Sequence, residues 1–189
     1  MTASATTAVP DPRQNHLLAA LPDQEYARLL PDLEAVSMPP GWIVHDSGVK
    51  LEYVYFPTTS EIALFQVLGD GSAPEIAVTG NYGLVGTSLF LGNKTTTNRA
   101  VVQRAGQAYR IRAAVLKRES RLDGNLHYLA LHYIQGLIEQ MAQSAQRKRY
   151  DMAERQLSAL LYDEVIVDLN GGVCPVPGQQ LICRCENCG

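Results

Sequence analysis

The sequence predicts a mainly β domain of sandwich or jelly-roll type with flanking helices, followed by one long helix. Three observations lead there. Between Val36 and about Arg112, short β-prone runs alternate with turn signals at close spacing, the texture of antiparallel sheets rather than of a parallel sheet with crossover helices. From Asn125 to at least Leu161 there is no proline and one glycine, Gly136, so a single helix fits that stretch. The 189 residues are 46% hydrophobic and carry a net charge of −3, enough apolar material for one core and too little charge for a disordered chain.

Taken in order, residues 1–13 are rich in Ala, Thr and Pro and are expected to form a flexible leader. Asn15 caps a short helix that carries Leu17, Leu18 and Leu21. Pro22-Asp23 opens a second helix, with Tyr26, Leu29, Leu30 and Leu33 at helical spacing. Strands are predicted at 42–44, 52–56, 61–68, 75–79, 99–104 and 108–111, and Asp70-Gly71 marks a hairpin. Residues 83–92 interrupt the strands with a Gly-rich turn, one helical turn and a closing glycine. A short helix inside a β domain marks a loop with a task.

From Ala113 the chain reads as helical, and the long helix begins after Asp123. One apolar seam is Leu131, Ile134, Ile138, Met141 and Ala145, spaced 3, 4, 3, 4 as in a coiled coil; another is Leu126, Ala130, Tyr133 and Leu137. Two seams on one helix suggest that the second packs on the β domain and the first, Leu131, Ile134, Ile138, Met141 and Ala145, forms the interface with a second copy of the chain. The alternative is a wide stripe packed wholly on the chain's own β domain. The organisation expected is a leader (1–13), a β-roll (14–123), a dimerisation helix (124–168) and a tail (169–189).

The chemistry of an enzyme is missing from this pattern. His16, His45, His127 and His132 are too scattered for a cupin metal site, and His127 and His132, five apart, lie on different helix faces. No nucleophile elbow, P-loop or dinucleotide fingerprint is present. No apolar run is long enough to span a membrane and no basic n-region opens the chain, so a cytoplasmic, non-membrane protein is expected. Arg147-Lys148-Arg149 reads as a solvated helix face balanced by Asp151 and Glu154.

The candidate binding element is the 83–92 loop. Gly86 permits close approach of a ligand to backbone, Thr87 and Ser88 add hydroxyls, and Arg99 could supply a counter-charge for an anion. The alternative is a purely structural turn with a solvated arginine. All four cysteines, Cys174, Cys183, Cys185 and Cys188, fall in the last sixteen residues. Four thiolates can hold zinc, but this spacing lacks the paired Cys-x2-Cys knuckles of structural sites.

The strings NHLLAALP, YVYFPTTSEIAL, GNYGLVGTSLFLG, NRAVVQ and LHYIQGLIEQMAQSAQ occur in that order between Asn15 and Gln146. This arrangement resembles the Crp/Fnr family of bacterial transcription regulators. The resemblance implies a double-stranded β-helix (a jelly-roll of the cyclic-nucleotide-binding type), an effector cassette over residues 83–100 and a dimer formed by the long helix. In the family that helix joins the sensor to a helix-turn-helix, and effector binding repositions two recognition helices. Gly83, Val85, Gly86, Thr87, Ser88, Asn98, Arg99 and Ala100 fall in or beside the cassette.

Two departures modify these expectations. The family's cassette glutamate falls on Gly86 or Val85, and its Arg–Ser pair on Asn98-Arg99 or Arg99-Ala100. Loss of such charge-assisted contacts costs about 1.5–3 kcal/mol, which argues against cyclic AMP and leaves an effector of unknown identity. Only 28 residues follow Leu161, roughly half of what a winged helix-turn-helix needs, so DNA binding by this chain alone is not expected. A reading-frame shift would account for such a tail. Two other readings are a regulator that does bind DNA and a redox- or metal-responsive protein that uses the tail cysteines. The expected outcome for the tail is purified protein with well under one zinc per chain, whether or not residues 170–189 are present, by elemental analysis.

Overall fold

Among the described residues, seven antiparallel strands form two sheets. The strands are β1 (Glu34–Met38), β2 (Ile43–His45), β3 (Tyr53–Pro57), β4 (Glu61–Gln66), β5 (Glu75–Thr79), β6 (Asn98–Arg104) and β7 (Gly106–Arg112). The three-stranded sheet has the order β1-β7-β3 and the four-stranded sheet β2-β6-β4-β5. The helices are α1 (His16–Ala19), α2 (Asp23–Leu29), α3 (Ala113–Ser120) and α4 (Asn125–Val167). This computed structural model describes the backbone of residues 10–120 and 124–167 and the side chains of residues 10–119 and 124–146. The chain divides into two compact units, residues 1–146 and 147–189; of the second, the described part is helical to Val167. The tail cysteines lie outside the described residues. Among those described, no helix is long and apolar enough to cross a membrane.

Alternation along the strands creates two cores from one sheet. On β3, Val54 and Phe56 face one way and join Leu18, Leu29, Ile111, Leu116, Leu126 and Ala130 in a core between the three-stranded sheet and the helices. Tyr55 faces the other way and joins Met38, Ile62, Leu64, Ala77, Ala100 and Val102 in a core between the two sheets. The turns obey their local chemistry. Gly71, at φ 83°, closes the β4–β5 connection, and Asp70 Oδ1 accepts from the Ser72 N–H at 2.9 Å and hydroxyl at 2.6 Å.

Asn15 caps α1 as expected and does more. Its Oδ1 accepts from the N–H groups of Leu17 (3.1 Å) and Leu18 (3.3 Å). Its Nδ2 donates to the carbonyls of Pro57 and Gly83, both at 2.9 Å. The side chain is fully buried, and all four of its hydrogen-bonding positions are filled. Just before it, residues 12–14 form a 3-10 turn capped by Asp11, and the Pro10 carbonyl accepts from the Tyr109 hydroxyl at 2.7 Å. The end of the expected leader is therefore tied to β7.

The start of α4 is capped from another helix. Glu25, on α2 and buried, accepts from the Asn125 N–H (3.0 Å), Asn125 Nδ2 (3.1 Å) and the Leu126 N–H (2.9 Å). A carboxylate at a helix N-terminus satisfies orphan donors and opposes the helix dipole. Gly124 leaves it room, since a Cβ there would lie 2.6 Å from Glu25 Oε1. Glu25→Ala should lower unfolding free energy by about 2–3 kcal/mol, because two backbone donors lose a charged partner. Glu25→Gln should lose less, and urea midpoints of the two variants provide the comparison.

Candidate functional site

The loop between β5 and β6 threads between the two cores. Leu84 enters the helix-side core and Val85 the inter-sheet core. Val85 and Tyr55 exchange two backbone hydrogen bonds of 2.9 Å, which fix the loop to β3. Gly86 comes next at φ 103°, and a Cβ there would lie 3.1 Å from the Tyr53 carbonyl oxygen and 3.4 Å from Val54 Cα. Only glycine meets both demands. Of the two positions on which the resemblance sets a glutamate, Gly86 has a strained φ and tight surroundings for any side chain, and Val85 fills its place in the inter-sheet core with an apolar one. The helical turn is a single 3-10 turn, Thr87–Leu89, closed at Gly92 with φ 83°.

A small cavity of about 10 Å³ lies beside this turn, the space of one water-sized group. Val85, Gly86, Thr87 and Ser88 line one side of it and Asn98 and Thr96 another, with His45, Leu64 and Leu84 completing the wall. The structure thus gathers five of the eight sequence-derived candidates. The other three lie elsewhere. Gly83 sits against the Tyr133 ring, where a Cβ would meet Cε2, and Ala100 is sealed in the inter-sheet core.

Arg99 is turned away from the cavity. Asn98, Ala100 and Val102 take the inner face of β6, which leaves Arg99 and Val101 on the outer one. There Arg99 Nε and Nη2 donate to Asp46 Oδ1 and Oδ2 at 2.8 and 3.0 Å, a bidentate pair. Its guanidinium, with help from the Ser47 N–H, holds the Asp46 carboxyl below the usual carboxylate range.

Sequence reasoning missed His45. Ile43 opposes Val101 on β6, yet His45 opposes Ala100, so the β2–β6 register shifts by one residue between them. Such a bulge moves a side chain to the other face of its sheet; without it, His45 would stand opposite Arg99, outside. Instead its Nε2 lies 2.9 Å from Asn98 Oδ1. Burial pulls the imidazole below its ordinary pKa, against the opposing influence of Asn98 and Asp46. The neutral ring is thus the favoured form in the fold. Its only sequence signal was to be the one histidine within the strand region.

On the other side of the loop stands α4. The Tyr133 hydroxyl is 2.6 Å from Thr79 Oγ1, and burial raises its pKa. Leu126, Ala130 and Leu137 pack on the domain, as the second seam suggested. The first seam divides. Ile134 and Met141 also pack against the chain's own cores, whereas Leu131 (39%) and Ile138 (61%) are exposed, as is Ala145. A pitch of 3.6 residues carries i+3 and i+10 round to the domain side, while the i, i+7, i+14 set stays outward. With Tyr128, 62% exposed, and Ala142, these residues define the open stripe.

Among the described residues, no group of three His, Cys, Asp or Glu side chains is placed to hold a metal ion. The His45 environment sets a pH dependence. Because folding depresses the imidazole pKa, the unfolded chain binds the proton first as pH falls, and stability declines below about 6.5. Above that value the contribution is fully present. Urea midpoints at about pH 7.5 and about pH 5.5 should therefore differ less in His45→Gln than in the native protein.

No protein-family profile matches the chain, and no curated protein sequence does. Solved structures do match. The N-terminal domain of a transcriptional regulator from Streptomyces coelicolor is 19% identical, with TM-score 0.51 over 70% of this chain and 92% of that one. A cyclic nucleotide binding protein from Ruegeria pomeroyi is 18% identical, with TM-score 0.54 over 72% of this chain. DNR from Pseudomonas aeruginosa is 16% identical, with TM-score 0.52 over 75% of this chain. The chain spans 60% and 59% of the latter two. With its two antiparallel sheets, cassette loop and long C-terminal helix, the chain has the cyclic-nucleotide-binding-like fold of Crp/Fnr-type sensor domains.

Proposed function

We propose that this chain is the effector-sensing and dimerisation module of a Crp/Fnr-type transcription regulator, with an effector other than cyclic AMP. One observation carries the reading: the 83–92 loop has a polar cavity on one side, and on the other it meets, through Gly83 and Tyr133, the helix α4 that carries an open apolar stripe. The stripe of Tyr128, Leu131, Ile138, Ala142 and Ala145 is spaced 3, 7, 4, 3, which keeps one face of the helix aligned for a second copy. The likeness to a transcriptional regulator's N-terminal domain and to a cyclic nucleotide binding protein supports a sensing role. Against cyclic AMP stand the glycine-only position at Gly86 and the outward-facing Arg99.

Sedimentation at micromolar concentration should give a dimer, and Ile138→Asp a folded monomer, because a carboxylate in a paired apolar stripe is desolvated without a partner. A native monomer would remove the dimerisation role. The same preparation should show no micromolar binding of cyclic AMP or cyclic GMP by calorimetry. A sequence-selective gel shift at physiological salt would replace this reading with that of a direct DNA binder.

A further inference from the structure

We infer that the cassette cavity takes one small, uncharged, hydrogen-bonding group of a ligand and turns away anionic groups, phosphates included. This rests on the sensing role proposed above and names the class of molecule sensed. The first observation is a census of charge. None of the nine residues lining the cavity is Lys, Arg, Asp or Glu. The arginine adjacent in sequence, Arg99, is on the opposite face of its strand with two nitrogens engaged by Asp46. The segment of α4 from Asn125 to Gln146 contains no Lys or Arg, so the same stretch of a second copy's helix would bring none. The His45 ring, half-buried and paired with Asn98, is favoured in its neutral form.

An anion entering such a cavity would shed its hydration without gaining a cation, and an unpaired buried charge is strongly disfavoured. The 3-10 turn is too short to replace one, since the dipole of a helix grows from aligned peptide units over several turns. The second observation is what the wall does offer. The Thr87 and Ser88 hydroxyls and Asn98 Nδ2 are not taken by other described residues. Leu64, Leu84 and Val85 supply the apolar remainder. Neutral donors and acceptors on one side and aliphatic surface on the other suit the uncharged polar end of a small molecule, such as the amide of acetamide.

The test uses a pair of probes equal in shape and different in charge, acetamide and acetate, with inorganic phosphate as a third. Each is titrated into the full-length, 15N-labelled chain at about pH 7.5, and the backbone signals of residues 86–88 and 98 are monitored. Acetamide should perturb these signals with at least roughly tenfold higher affinity than acetate or phosphate. Acetate or phosphate binding there as tightly as acetamide would overturn the inference. Asn98→Arg puts a cation at the inward position and should reverse the preference by roughly tenfold or more, whereas Arg99→Gln should leave it unchanged. Failure of Asn98→Arg, folded by its thermal transition, to gain anion affinity would refute the charge argument, as would a changed preference in Arg99→Gln. If no probe perturbs the loop in the native chain or in Asn98→Arg, the sensing role itself falls and the inference with it.

Discussion

The buried amide of Asn15 is the tie on which the site depends. Through four hydrogen bonds it caps α1, holds the end of β3 at Pro57 and fixes the cassette loop at Gly83. An aspartate would fill the cap and lose both donations, and a leucine would fill the space and leave four backbone groups without a partner. Only a neutral group with two donors and an acceptor oxygen meets the demand. Since a buried unsatisfied polar group costs about 1–3 kcal/mol, three elements far apart in sequence keep one arrangement around this side chain. The loop can then approach β3 closely enough for the Val85–Tyr55 exchange.

Beyond Gly83, labour is divided along one strand-like stretch of loop. Leu84 and Val85 anchor it in two separate cores, so the segment from Gly86 to Gly92 hangs from a rigid support although it has only a single 3-10 turn of its own. That arrangement suits a binding element: the frame is held by burial, and the hydroxyls of Thr87 and Ser88 and the Nδ2 of Asn98 are left for other work. On the opposite side of the support, Tyr133 meets the loop from α4, so the same rigid segment has a polar face toward the cavity and a packed face toward the helix.

Much of this was legible because the signals were local. Asn15 as a cap, Asp70-Gly71 as a turn, Gly92 as a stop and the uninterrupted run after Asn125 each act on neighbours close in sequence. Arg99 and His45 were not legible for one shared reason. The face a strand residue occupies depends on register, and the register of β2 on β6 shifts at a bulge that no short pattern announces. That shift brings His45 inside, and the alternation of β6 leaves Arg99 outside, so the histidine enters the site and the cation leaves it. The split of the first α4 seam had a different origin: a 3, 4, 3, 4 pattern describes a wide stripe as well as a narrow one, and only the packed domain shows where the stripe is divided.

The contact between Gly83 and the Tyr133 ring carries a consequence for the descent of such proteins. A methyl group at position 83 would meet the end of the ring, so a side chain there requires the ring to swing aside or a smaller residue at 133, while 133 can shrink with 83 still glycine. A lineage that acquires a side chain at 83 by way of a smaller residue at 133 surrenders the hydroxyl that pairs with Thr79. Two residues far apart in sequence are thereby coupled in one direction, change at 133 opening the way for change at 83.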